Sequence, residues 1–112
     1  MKGKDLGKTA TGIKPNVAAL LSYLFGFITG IIFYVIEKDN KFVRFHAMQS
    51  IIVFGGLFVA ALIFGAIPGL GAIILPILWI ANIILWVILI VKAYLGEDFK
   101  VIIAGKIADK YK

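Results

Sequence analysis

The sequence predicts an all-α, polytopic helical membrane protein, and three observations carry that reading. First, residues 17–36, 47–67 and 70–91 form three apolar stretches without a single Asp, Glu, Lys, Arg or His. Each is close to the roughly 20 residues a helix needs to cross a hydrocarbon core of about 30 Å. Second, 62% of the 112 residues are hydrophobic, which leaves too little polar surface to coat a soluble core. Helices in lipid satisfy their own backbone hydrogen bonds, so a chain this apolar is stable there. Third, only Pro68-Gly69, an uncharged pair, separates the second and third stretches. A link this short makes helices 2 and 3 an antiparallel hairpin.

Taken in order, residues 1–15 read as a flexible basic tail, with Lys2, Lys4, Lys8 and Lys14 among glycines. Residues 16–96 form the transmembrane helical domain, opened by Pro15-Asn16, since proline is tolerated in a helix's first turn. Basic residues before an apolar run also raise a signal peptide. Segment 1, however, exceeds the usual 7–15-residue apolar region and ends in Tyr34-Val35-Ile36-Glu37 without a small-x-small cleavage site. It is read as part of the mature chain.

Segment 1 has two readings, spanning or re-entrant. Lys plus Arg number four before it, three in the loop of residues 37–45, none at Pro68-Gly69 and five after segment 3. Positive charge accumulates on the cytoplasmic side. Three simple crossings divide the charges 4 against 8, whereas a re-entrant first segment puts all 12 on one side. Gly26, Gly30, Ser22 and Thr29 make a break in that segment feasible. Each limb would then reach about 15 Å and need protein around its bent backbone. The loop and the C-terminal tail are expected to be cytoplasmic.

Polar side chains concentrate between Glu37 and Ser50. His46, Gln49 and Ser50 stand at i, i+3 and i+4 and share one helix face. With Glu37, Arg44 and Phe45 they form the expected partner-contact or lipid-contact face. A Glu37–Arg44 pair across the loop, and Phe42 and Phe45 filling the interface, belong to this reading. Ser50 and His46 have no acid to complete a triad, so no catalytic role is assigned. For helix packing, Gly26 and Gly30 make a GxxxG, Gly55-Gly56 offers a second close approach, and Asn82 needs a hydrogen-bond partner in lipid. Trp79, Asn82 and Trp86 mark one face of segment 3, where Pro76 should bend the helix.

Residues 97–112 read as a basic juxtamembrane tail lying along the headgroups, because Lys106 and Lys110 interrupt its apolar arc. The chain has no cysteine, one histidine and six acidic residues, so neither a disulfide nor a metal or other cofactor is expected. A net charge of +6, placed beside the apolar segments, suits anionic lipid headgroups and not nucleic acid.

The run from Tyr23 through Gly30, followed by Glu37-Lys38 and Phe42-Val43-Arg44-Phe45-His46-Ala47-Met48-Gln49-Ser50, resembles a family of small prokaryotic integral-membrane proteins with no settled activity. That family is distantly similar to the chloroplast inner-envelope protein import component. The resemblance covers residues 16–97 and implies a prokaryotic, multi-pass cell-membrane protein whose shared feature is the His46 region. The expected function is a non-enzymatic interaction or assembly module. A link to protein translocation or insertion is implied by the resemblance, and a homo-oligomer or a membrane-protein partner is expected. The alternative is a small oligomeric channel or transporter.

Overall fold

A computed structural model describes residues 6–112; Lys2 and Lys4 of the basic tail lie outside the described residues. Five helices and no strand occur among them: α1 (Pro15–Leu24), α2 (Phe27–Ile36), α3 (Lys41–Gly65), α4 (Leu70–Tyr94) and α5 (Ile102–Tyr111). The all-helical membrane fold read from composition is therefore the observed one. Two helices, α3 and α4, are long and apolar enough to cross a bilayer, at 25 residues each.

Segment 1 is broken in the middle. Gly26 takes φ +63°, a conformation that costs a side-chain-bearing residue energy and glycine little. The chain turns back there, so α1 and α2 form a short helical hairpin. Hydrogen bonds locate its two ends together. The carboxylate of Glu37, just after α2, accepts from Ala10 N at 2.6 Å and Thr11 N at 3.1 Å, just before α1. The Thr11 hydroxyl donates to the same carboxylate at 2.6 Å.

A bent backbone in lipid must find partners for its freed carbonyls, and three at the tip have side-chain donors. Thr29 Oγ1 donates to Ser22 O at 3.2 Å, Trp86 Nε1 to Tyr23 O at 2.9 Å, and Ser50 Oγ to Gly26 O at 2.8 Å. These donors come from α2, α4 and α3 in turn, so the tip is wedged between the two long helices. Buried Ala19, Tyr23, Val53, Phe54, Leu89 and Ala93 form the core beneath it.

The long helices join through a tight turn at Gly69, φ +81°. There a Cβ on Gly71 would lie 3.0 Å from Phe64 O, so only glycine lets the helices start this close. Helix α4 runs through Pro76 as one element. At its other end Asn16 Nδ2 donates to Tyr94 O at 3.0 Å, fixing the start of α1 to the end of α4. Asn40 caps α3 by accepting from Val43 N at 2.9 Å and donates to the carbonyls of Leu6 and Lys8.

The C-terminal residues, expected to lie along the headgroups, include a further helix. Residues 102–111 form α5, which packs on α3 through buried Gly105 and Ala108. The apolar arc interrupted by Lys106 and Lys110 is real, but the packed face consists of small residues. Ile102 and Ile103 remain 81% and 68% exposed. All charged residues described thus gather where the ends of the elements meet, and the Pro68-Gly69 end carries none.

Candidate functional site

Tyr23, His46 and Gln49 lie at the centre of the molecule's charged end, all fully buried. Helix α3 delivers His46 and Gln49 on one face, one turn apart, and α1 brings Tyr23 against them. The Tyr23 hydroxyl and His46 Nδ1 are 2.7 Å apart, and His46 Nε2 is 2.8 Å from Glu97 O. A carbonyl can only accept, so Nε2 carries the proton, and Nδ1 accepts from Tyr23. The Tyr23 oxygen in turn accepts from Gln49 Nε2 at 3.0 Å.

Gln49 reads the backbone of the segment after α4. Its Nε2 also donates to Phe99 O at 2.8 Å, and its Oε1 accepts from Val101 N at 2.8 Å. One amide side chain therefore pairs with an extended segment as a neighbouring strand would. With the His46–Glu97 bond, this straps residues 97–101 along the side of α3. Lys92 supports the strap through an ion pair with Glu97 at 3.2 Å. A Cβ on Gly105 would collide with Lys100 and with Gln49 Oε1, so α5 begins as close to the clasp as a glycine allows.

The rings of Phe42, Phe45 and Tyr23 stand edge-on to the imidazole at centroid distances of 4.7, 5.1 and 5.5 Å, an arrangement favoured by the ring quadrupoles. Phe42 and Phe45, expected to plug a contact face, pack inward against His46 instead, with Phe45 buried. No buried side-chain nitrogen or oxygen among the described residues lacks a hydrogen-bond partner.

Other expected positions are arranged differently. Glu37 and Arg44 do not pair: Glu37 holds the residues before α1, while Arg44 donates to Tyr34 O at 2.8 Å and stacks 3.9 Å over the Tyr34 ring. Burial of Glu37 beside backbone N–H donors explains the choice, since these satisfy its oxygens without an exposed cation. Ser50 and His46 share a face but point to separate partners, Gly26 O and the Tyr23–Glu97 pair.

The GxxxG serves the interior: Gly26 turns the hairpin, and a Cβ on Gly30 would stand 2.9 Å from Ala47 O on α3. Gly55 faces Phe27 at ordinary contact distance, whereas Gly56 has nothing within 4 Å and is not a close-packing site. Asn82 makes no side-chain hydrogen bond to another described residue. It lines, with Phe25, Phe27, Phe54, Phe58 and Trp79, an apolar recess of about 660 Å³ above the hairpin tip.

Tyr23 is the member of the buried cluster that pattern reading passed over. It sits in an apolar run, and its signal was a phenol at that depth, since a buried tyrosine hydroxyl needs a partner. The clasped backbone of residues 97–101 left no sequence signal, because Gln49 pairs with amides that every residue carries.

This is a helical membrane protein in which a short helical hairpin and a C-terminal strap are locked to a long helical pair by one buried polar cluster. The chain belongs to the magnetosome magnetite crystal formation protein family, which it matches over residues 9–108. It is 49% identical to a UPF0132 membrane protein of Methanocaldococcus jannaschii over 95% of this chain and 96% of that one. A UPF0132 membrane protein of Archaeoglobus fulgidus is 46% identical over 88% of this chain and 95% of its own length. A further M. jannaschii relative of the same name is 43% identical, covering 91% of this chain and 73% of its own. No solved structure matches.

Proposed function

We propose that the protein is a non-enzymatic assembly module of the cell membrane that works by self-association through the recess at Asn82. The observation that carries this reading is the contrast between two sets of polar groups. Those of the His46 region are spent on internal hydrogen bonds, which leaves no free nucleophile and base. The Asn82 amide alone faces an apolar recess without a partner among the described residues. An amide in lipid gains from pairing, and two copies related by a two-fold axis bring Asn82 to Asn82, donor to acceptor on both sides.

The charged end faces the cytoplasm in this reading, by the positive-inside rule, and its lysines meet anionic headgroups. A family description in terms of crystal formation names an assembly process, which agrees with a scaffold. Protein translocation or insertion is another process that such a scaffold would serve. The channel reading requires a polar route. Of its candidate lining, Ser22, Thr29, Gln49, Ser50 and Asn82, the first four bond within the protein instead.

Single-molecule photobleaching of the full chain in nanodiscs at graded protein density tests the proposal. Asn82→Leu should weaken self-association about 8- to 300-fold, the range for the two hydrogen bonds of the symmetric pair, and Asn82→Gln should restore part of it. A protein that stays monomeric at every density, or dimers indifferent to Asn82→Leu, would overturn it. Ion flux in liposomes abolished by the same substitution would point to the channel instead.

A further inference from the structure

The two ends of this molecule differ in girth. At the charged end α1 and α2 stand beside α3 and α4, and α5 lies against them. Helices of 10 residues reach only about 15 Å, half of a hydrocarbon core of roughly 30 Å. The contacts of the tip agree with that depth: Trp86 holds it from α4 and Ser50 and Phe54 meet it on α3. Beyond it, α3 continues from Phe54 to Gly65 for about 17 Å and α4 from Trp86 back to Leu70 for about 24 Å, with no third helix beside them.

Beyond the tip the two long helices are largely uncovered. Phe58, Leu62, Ile63, Ile73, Ile77, Trp79 and Ile80 are all more than half exposed. In the whole of α4 only Gly71, Leu89 and Ala93 are buried. A bilayer leaflet on the charged side must therefore make room for four helices, and the opposite leaflet for two. With a helix diameter of about 10 Å, the difference is on the order of 150 Å² per copy. Helix α5 adds to it, since it runs beside the first part of α3, from Gln49 at Gly105 to Lys41, with Tyr34 of α2, at its C-terminal end.

We propose that this chain is a membrane wedge, which concentrates in, and at high density produces, curvature with the leaflet of its charged end on the convex side. Around the two long helices beyond the hairpin tip, lipid of the opposite leaflet fills whatever a second copy at Asn82 does not cover. Self-association at Asn82 keeps the sign, because every copy contributes four helices to one leaflet and two to the other. The wedge depends on the depth of the hairpin and stands or falls independently of the dimer.

The test reconstitutes the full chain, labelled at Lys110→Cys, into surface-tethered vesicles of mixed diameter made from phosphatidylcholine and phosphatidylglycerol. The natural chain has no cysteine, so the label is unique. A membrane-impermeant quencher separates copies whose charged end faces outward from those facing inward. Outward copies per unit area should rise by roughly twofold or more from the largest to the smallest vesicles, as for other curvature-sensitive inserts, while inward copies fall. The opposite trends are the signature, because attraction to anionic lipid alone moves both orientations alike. Equal trends for the two orientations, or densities independent of diameter, would overturn the proposal. Electron microscopy at high protein density supplies the second readout: narrow tubules or small vesicles are expected, and unchanged spherical membranes count against wedging.

Discussion

Replacing Tyr23 by Phe deletes one oxygen from the middle of the buried cluster and leaves its volume intact. His46 Nδ1 then faces an apolar ring edge with no donor, while Gln49 Nε2 keeps its bond to Phe99 O. An orphaned buried acceptor costs about 1–3 kcal/mol in soluble proteins. Single hydrogen bonds between membrane helices are worth about 0.6 kcal/mol on average and 1.7 at most, because the unfolded chain in lipid also finds partners. The cluster is fully buried and its partners are fixed by the strap, so the upper part of the membrane range applies. A loss of about 1–2 kcal/mol, a 5- to 30-fold fall in the folded-to-unfolded ratio, is expected.

Equilibrium unfolding in mixed micelles of increasing dodecyl sulfate content, followed by fluorescence of Trp79 and Trp86, measures it. Tyr34→Phe is the control, since that hydroxyl bonds Tyr111 O at an exposed site and should change stability by less than about 0.5 kcal/mol. In a double-mutant cycle, Tyr23→Phe and His46→Leu should couple by about 1 kcal/mol, since the second substitution removes the acceptor that the first orphans. Equal effects of Tyr23→Phe and Tyr34→Phe, or an additive cycle, would refute the view that this cluster locks the fold.

The other expectations concern the parts it joins. Gly30→Val should drive α2 from α3, because even a Cβ would sit 2.9 Å from Ala47 O and 3.0 Å from Ser50 Cβ; a loss of about 1–3 kcal/mol in the same micelle titration checks it. Gln49→Leu should free the strap, read as faster labelling of Asp98→Cys by a soluble maleimide, with the Ser50→Ala chain as comparison. The carboxyl of Asp109 is held below its ordinary value chiefly by a hydrogen bond from Lys112, with Lys100 also nearby. Its contribution to the stability of α5 is therefore complete above the unfolded value and fades as pH falls through the lower, folded one. Proteolysis of residues 102–112 should speed up modestly in strong acid, and Asp109→Asn should remove that pH dependence.

Much of this fold is legible because lipid imposes simple rules. A charge-free run near 20 residues long defines α3 and α4, and Pro68-Gly69 joins them, with no detail of packing required. Segment 1 was ambiguous on length alone. What resolves it is a set of tertiary partners, Trp86, Ser50 and Thr29, each of which reads in isolation as an ordinary apolar or small polar residue. Glu37 shows the same limit. Its nearest cation in sequence logic is Arg44, yet its partners are backbone amides 26 and 27 residues away, and amides carry no sequence label. Small residues mislead in both directions: Gly55-Gly56 suggests a contact that Gly56 does not make, whereas Gly105 and Ala108 make one that no hydrophobic arc announces.

Why the polar cluster sits where it does follows from the hairpin's length. A crossing helix needs no side-chain partners for its backbone, but a helix that stops at half depth exposes carbonyls where no water reaches. The protein answers at two levels, with Trp86, Thr29 and Ser50 at the tip and Tyr23, His46 and Gln49 one turn or so below. The second level does not serve the break itself; it ties α1 to α3 and to the strap, so that the short helices cannot slide out toward water. Helix α1 has few large side chains to bury, Tyr23 being the chief one, and apolar packing in lipid offers little drive for association. Hydrogen bonds in the least hydrated part of the charged end are the available substitute. A shallow hairpin therefore requires a buried polar lock of this kind, whereas a plain three-helix crossing would leave His46 and Gln49 without work.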